Sequence, residues 1–324
     1  MYVARIPGAS RMKRRHLLGG GAAAALAVGG GLLWSPFAGA ATPDGRFALD
    51  ADAQKFLREK ALHHTTVLQS FAFDNTNKHL YVLQLIGEEQ DGDLVLTKLD
   101  HAGAKRGHMR LNGFGHGVAM GVEPAGSAPW IWTEADANPD SGYGRGVTRF
   151  KFTDGKTLTS GSSPVFKPVP GSTSNTPSID ALNNRIAIRY RKDDTVAYKI
   201  FKLSDFTNQT YTAQHTFEQT GIQSGETFQG WCLHGDCVYQ LTGTSYTAET
   251  GANPPSKKGN AHVSSIDVTT GELKERKRTE AAYSLGFREP EGLAVQLTSP
   301  PRLHMGFASG TRGARKFSLY YKAQ

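Results

Sequence analysis

Five short segments of this chain repeat one pattern: polar, small, large apolar, small, apolar. Gln69-Ser70-Phe71-Ala72-Phe73, His116-Gly117-Val118-Ala119-Met120, Gln229-Gly230-Trp231-Cys232-Leu233 and Glu291-Gly292-Leu293-Ala294-Val295 follow it closely. Pro177-Ser178-Ile179-Asp180-Ala181 follows it loosely, with proline in the polar place. Successive side chains of a strand point to opposite faces, so each such strand has a shallow face and a bulky one. In a ring of radial sheets the bulky face of one fills the shallow face of the next, which close packing at the centre demands. The segments begin at 69, 116, 177, 229 and 291, and a second strand-like run follows each: Leu80–Gln84, Trp130–Glu134, Arg185–Arg189, Val238–Leu241 and Leu303–Phe307. Strand repeats of about this length indicate a β-propeller. The expected fold is all-β with five blades; a barrel or sandwich is the competing architecture.

The expected blades run Gln69–Gly113, His116 to about Thr159, Pro177–Phe217, Gln229 to about Thr279, and Leu293 to the chain end. The last lacks a fourth strand. Arg46-Phe47-Ala48-Leu49 can supply it, so that pairing of the two chain ends closes the ring and removes an exposed edge. One short helix is expected, from about Asp52 to His63, capped by Asp50 or Asp52. Residues 41–68 are thus read as a closing strand and helix, and 69–324 as the propeller.

The N-terminus reads as an export signal. Arg14-Arg15 precede an uncharged Gly/Ala/Leu stretch from Gly19 to Leu33, and Ala38-Gly39-Ala40 is a small-x-small cleavage site. The arginine pair suggests the twin-arginine route, with residues 1–40 removed. The whole chain of 324 residues carries a formal charge of +8, but five basic and no acidic residues lie in that segment. The remaining 32 basic and 29 acidic residues leave +3, which does not support a nucleic-acid footprint. No further stretch is long and apolar enough to anchor the remainder in a membrane. The expected location is extracellular or wall-associated.

Cys232 and Cys237 flank His234-Gly235-Asp236, which reads as a hairpin turn. Export permits a disulfide between them; a buried free pair is the alternative. Two cysteines with His234 do not make a zinc site, and the distant His63, His64 and His116 fix no metal geometry. No cofactor is expected. There is no nucleophile elbow, and Gly113-Phe114-Gly115-His116-Gly117 opens a strand, so it is not a phosphate loop. Asn253–Lys258 reads as a surface loop.

The first position of each repeat opens into the central funnel, which places Gln69, His116, Gln229 and Glu291 there. Pro290 holds Glu289 extended, so Glu289 and Glu291 share a side. Glutamates so placed could act as acid and base; interchange with Gln and His points to hydroxyl recognition instead. Trp132 and Glu134, and Arg189 and Arg191, end second strands at equivalent places. Aromatic faces with amides and carboxylates suit sugars, and arginines suit phosphates. Trp231 is read as core packing between blades.

The strings "QSFAFD" (69–74), "GFGHGVAMGVEP" (113–124), "NTPSID" (175–180) and "FREPEGLAV…MGFASG" (287–310) together resemble a family of secreted actinobacterial proteins labelled teichoic acid biosynthesis protein C-like. That family is related to the propeller domain of staphylococcal phage receptor-binding proteins and to helveticin-type bacteriocins. The resemblance spans about Leu62 to Tyr321 and implies a cell-wall glycopolymer, such as teichoic acid, as ligand. It supplies no catalytic residues. The expectation is a carbohydrate-binding protein without turnover. The alternatives are a glycoside hydrolase or phosphodiesterase using Glu291 with Glu134, Asp180 or His116, and a bacteriocin-like toxin.

Overall fold

The structure is a computed structural model that describes residues 45–247 and 259–324. The export-signal segment (1–40) and Asn253–Lys258 lie outside the described residues. Its regular secondary structure is almost entirely strand. Among these residues no helix is long and apolar enough to cross a membrane.

A first strand, β1 (Gln54–Lys60), precedes the blades. Blade one is the meander β2 (Leu68–Asp74), β3 (His79–Ile86), β4 (Asp93–Asp100) and β5 (Lys105–Asn112). Blade two holds β6 (Gly121–Glu123), β7 (Trp130–Ala137) and β8 (Gly144–Lys151). The chain then leaves as β9 (Thr157–Thr159), which runs parallel to β5, and returns as β10 (Val165–Phe166) on β8. Blade three is β11 (Thr173–Asp180), β12 (Arg185–Lys192), β13 (Thr195–Lys202) and β14 (His215–Glu218), with a five-residue helix at Leu203–Thr207. Blade four is β15 (Phe228–His234), β16 (Cys237–Thr242), β18 (Ala261–Asp267) and β19 (Leu273–Thr279); between them β17 (Tyr246–Thr247) crosses to blade five. Blade five is β20 (Phe287–Gln296), β21 (Arg302–Ser309) and β22 (Lys316–Ala323), and β1 completes it.

Two expectations about the N-terminal segment need correction. Residues 52–63 hold no helix; Gln54–Lys60 is the closing strand, with Gln54 opposite Tyr321 and Lys60 opposite Phe317. The open edge of β22 offers a ladder of backbone groups that outweighs a weak helix preference. Arg46–Leu49 is not a strand, although Ala48 N–H donates to the Ala323 carbonyl at 3.2 Å. Phe47 and Leu49 instead plug the core between blades four and five, beside Tyr239 and Phe307. The chain ends do close the ring, as expected, but a later segment does it.

The small positions of the repeat bring the inner strands into contact all round. A Cβ on Gly230 of blade four would lie 2.5 Å from the Gly292 Cα of blade five, and one on Gly292 would lie 3.0 Å from the Ser70 Cα of blade one. Ser70 Oγ donates to the Gly117 carbonyl of blade two at 2.6 Å. A Cβ on Gly121 would strike Ile179 of blade three at 2.5 Å, and Leu233 N–H of blade four donates to Ser178 Oγ at 2.9 Å. Every blade-to-blade junction thus runs through a glycine or serine. The large positions fill the wedges farther out: Phe71, Phe73, Trp231 and Leu293 are buried in clusters shared between neighbouring blades. Trp231, read as core, is core: its Nε1 donates to Thr176 Oγ1 and its ring packs edge-on to Tyr198.

Cys232 and Cys237 are free, buried thiols, which corrects the disulfide. Cys232 faces Tyr239 across the hairpin and Cys237 faces His234, so the two are diagonal neighbours. Diagonal Cα separations of about 7–8 Å exceed what a disulfide spans. Burial pushes the Cys237 thiol up to about 11 and the Cys232 thiol higher still, so both are unreactive core residues.

Substituting Ala at Gly230 or Gly292 should lower the unfolding free energy by about 2–4 kcal/mol, from positive-φ strain plus backbone collision. Gly286→Ala, where an added Cβ meets nothing within 4 Å, should stay within about 0.5 kcal/mol of the parent. Urea denaturation of the three variants checks this.

Candidate functional site

The inner strands share one flaw at their start. The ladder from β2 to β3 slips between Leu68 and Ser70, from β11 to β12 between Thr173 and Thr176, from β15 to β16 between Phe228 and Gly230, and from β20 to β21 between Pro290 and Leu293. Gln69, Gln229 and Glu291 sit in these bulges. A bulge leaves its extra residue outside the ladder and re-aims its side chain. Each of the three immediately precedes a small residue, Ser70, Gly230 or Gly292, that touches the next blade at the axis. The structure therefore brings Gln69, Gln229 and Glu291 together around one mouth. Ser174 and Asn175 hold the equivalent place in blade three, two to three residues upstream of Pro177, the expected first position.

Blade two differs. Residues 113–120 do not form the expected inner strand; the strand is only Gly121–Glu123. The carboxylate of Glu134 explains why. It accepts from the backbone N–H groups of His116 (3.2 Å), Gly117 (3.1 Å), Val118 (3.2 Å) and Gly144 (2.8 Å). Those amides curl around the side chain instead of entering a ladder, and Gly115 and Gly117, both at positive φ, permit the curl. A Cβ on Gly115 would lie 2.5 Å from the Glu134 carboxylate. Burial raises the pKa of Glu134, while the four amides pull it down. Glu134, expected to contact ligand, is instead the post on which the His116 loop is built.

His116 does reach the mouth. Its ring stacks on Tyr143 at 4.7 Å and 9°, and Nδ1 lies 3.3 Å from a Glu89 carboxylate oxygen. Burial depresses its pKa and Glu89 opposes that shift. Tyr143 reports on the space between blades. Burial raises its phenol first, followed by Glu134 and Glu89; Arg189 of blade three acts against them, and Glu291 of blade five adds to them. Groups from several blades thus act on one phenol. Sequence reasoning missed Tyr143 and Glu89. Both lie in turns between strands, where no periodicity points to the axis, although the glycines on either side of Tyr143 mark a tight approach.

Arg189 is buried. One of its terminal nitrogens donates to Gln219 Oε1 at 2.9 Å, and its guanidinium lies over the Phe228 ring at 3.9 Å. Burial lowers its pKa. Arg191, two residues on, is exposed at the end of β12. Gln229 Nε2 donates to the Gly243 carbonyl at 2.9 Å, and its side-chain carbonyl oxygen meets no protein donor among the described residues. Trp132 belongs to the core; its Nε1 donates to Glu123.

Glu291 and Glu289 complete the mouth. Glu291 is 6 % exposed, and among the described residues no donor reaches its carboxyl. Burial raises its pKa well above the ordinary range, and neighbouring Glu289 raises it further. Glu289 is half-buried and also shifted up by burial, with Arg315 opposing. Such a pair favours the protonated form, which both donates and accepts hydrogen bonds. Asp180 lies at the far end of the axis, held by Arg185 and Asn183. There a cavity of about 40 Å³ is lined by residues of all five inner strands. It is too small for a sugar.

Five radial sheets, closed by a strand from the other end of the chain and carrying polar side chains at one mouth, define a five-bladed β-propeller with a candidate binding mouth. Residues 67–321 match the family described as the phage 5-bladed beta propeller receptor binding platform domain, and the chain belongs to that family. It is 27% identical over 283 residues to a protein of Bacillus subtilis (strain 168) named as a major teichoic acid biosynthesis protein C, covering 82% of this chain and 61% of that protein. The tail fiber of Staphylococcus aureus phage P68 shares the fold with a TM-score of 0.70 at 19% identity, over 86% of this chain and 54% of the fiber. The chain thus spans between one half and two thirds of the length of these two proteins.

Glu134→Ala should strand four backbone donors and lower the unfolding free energy by about 3–5 kcal/mol, with Glu134→Gln costing about 1–3 kcal/mol. Urea titration gives the stability, and amide exchange at His116–Val118 should speed up locally.

Proposed function

We propose that the chain binds a cell-surface glycopolymer, such as a teichoic acid or another wall carbohydrate, at this mouth and does not turn it over. The observation that carries the reading is the convergence of Gln69, Gln229 and Glu291, each projected by a bulge, with His116 and Glu289 beside them. Amide, imidazole and protonated carboxyl groups offer paired donors and acceptors, which is what vicinal hydroxyls need. The Tyr143–His116 stack offers a flat surface for a sugar's apolar side. Exposed Arg191 adds attraction for phosphate. Membership of a receptor-binding propeller family and the teichoic-acid name of the Bacillus subtilis relative support the same ligand class.

Hydrolysis needs a second carboxyl across the scissile bond. Of the partners expected for Glu291 in hydrolysis, Glu134 is committed to four amides and Asp180 lies at the opposite end of the axis, which supports binding; Glu289 and His116 are the groups left beside it. Purified Gram-positive sacculi, and the polymer released from them, are the probes. Gln229→Ala and Glu291→Ala should each weaken binding about tenfold while leaving the melting temperature close to that of the parent. No binding of the parent to any wall fraction would sink the reading, and release of repeat units by the parent but not by Glu291→Gln would replace it with the hydrolase.

Export belongs to the same proposal. Arg14-Arg15, the Gly19–Leu33 stretch and Ala38-Gly39-Ala40 support it. N-terminal sequencing of the protein from culture medium should start at Ala41, and Arg14→Lys with Arg15→Lys should retain it in cells.

A further inference from the structure

A groove of about 400 Å³ opens beside the mouth, between the β21–β22 turn and the chain that enters β2. It is lined by Thr65, Thr66, Val67, Arg312, Gly313 and Arg315. We propose that this groove is a phosphate subsite, which holds a phosphodiester of the polymer while a neighbouring sugar or polyol occupies the mouth. The proposal rests on the glycopolymer reading above and adds to it where the charge of the ligand is met.

Arg315 is built into place. Its guanidinium stacks on the Phe287 ring at 3.7 Å, one terminal nitrogen donates to the Gly310 carbonyl, and its backbone N–H donates to the Thr65 carbonyl at 3.2 Å. A cation held this way loses little entropy on meeting an anion, and its planar fork matches phosphate oxygens. Arg312 is exposed on the same turn, and among the described residues neither arginine forms a salt bridge. The Thr65 hydroxyl is a further donor, the Thr66 hydroxyl being engaged with His64 Nδ1 at 3.2 Å, and Val67 supplies apolar surface for the carbon chain attached to the phosphate.

The groove adjoins the mouth through β20. Phe287, under Arg315, lies two residues before Glu289, and Arg315 acts on the Glu289 carboxyl strongly enough to oppose its burial. At the mouth itself a phosphate would face Glu289 and Glu291, while Arg189 is buried and occupied by Gln219 and Phe228. The polymer's negative charge is therefore better met one step outward, where Arg312 and Arg315 form no salt bridge among the described residues and Glu289 alone acts on Arg315. In a polymer that alternates phosphate with sugar or polyol, adjacent subsites of these two kinds suit adjacent units.

The test compares the full chain with R312A, R315K and a control, K156A, whose exposed lysine sits at the outer edge of the blade-one sheet, just ahead of β9, and does not line the groove. Each is titrated with purified wall teichoic acid and with its phosphate-free repeat unit, at low and at physiological salt. R312A should bind the polymer about tenfold more weakly, with a shallower salt dependence, and bind the repeat unit as the parent does. R315K keeps the charge but loses the fork, and should lose part of the same affinity. K156A should match the parent. Polymer affinity of R312A and R315K equal to that of K156A at both salt concentrations would overturn the subsite and leave the mouth intact. A parent that binds neither probe would overturn both.

Discussion

The blades of this molecule meet at the hub through residues with little or no side chain. Gly230 touches Gly292, Gly292 touches Ser70, Ser70 bonds to Gly117, Gly121 packs on Ile179, and Ser178 bonds to Leu233. Five strands meet at an axis only if nothing larger than a hydroxymethyl group stands between them. Each glycine costs conformational entropy in the unfolded chain, and several here sit at positive φ. What offsets that cost lies farther out, where Phe71, Trp231, Leu293 and their neighbours fill the wedges between blades. Small residues at the hub and large ones behind them are two halves of one packing solution.

The same approach of strands creates the site. An inner strand that must bend toward its neighbour cannot keep its ladder in register, and four of the five slip there. The slipped residue is freed from pairing and is adjacent to the small residue that caused the bend. Gln69, Gln229 and Glu291 therefore gain their position from the constraint that closes the ring. Blade two reaches the same end by another route. The buried carboxylate of Glu134 gathers the amides of residues 116–118 and sets His116 against Tyr143. A buried carboxyl group serves as scaffold, and the His116 loop forms around it.

Much of this was legible because it repeats. Alternation of small and large residues is a local code, and five copies at similar spacing leave few folds able to use it. The polar residue just ahead of each small one was legible for the same reason. Elements that depend on a partner distant in sequence were not. Gln54–Lys60 became a strand because the edge of β22 was open, and nothing within the segment announces that. Glu134 looked like a ligand contact at a strand end until the four amides that hold it were in place. Arg189 looked accessible, but Gln219 and the ring of Phe228 enclose it. The cysteines looked like a hairpin pair, and the register set them on a diagonal.

The sequence by itself determined the number of blades, the strand that lines the hub in four of them, and three of the side chains that ring the mouth. These follow from side-chain size and from the two-residue period of a strand, which neighbouring residues carry within themselves. Only the tertiary structure decided which segment closes the ring, which carboxyl is scaffold and which faces the mouth, and that Arg312 and Arg315 stand beside Thr65 across a groove. Those outcomes depend on burial and on contacts between residues at opposite ends of the chain, such as Gln54 with Tyr321 and Thr65 with Arg315, and burial is a property of the assembled fold.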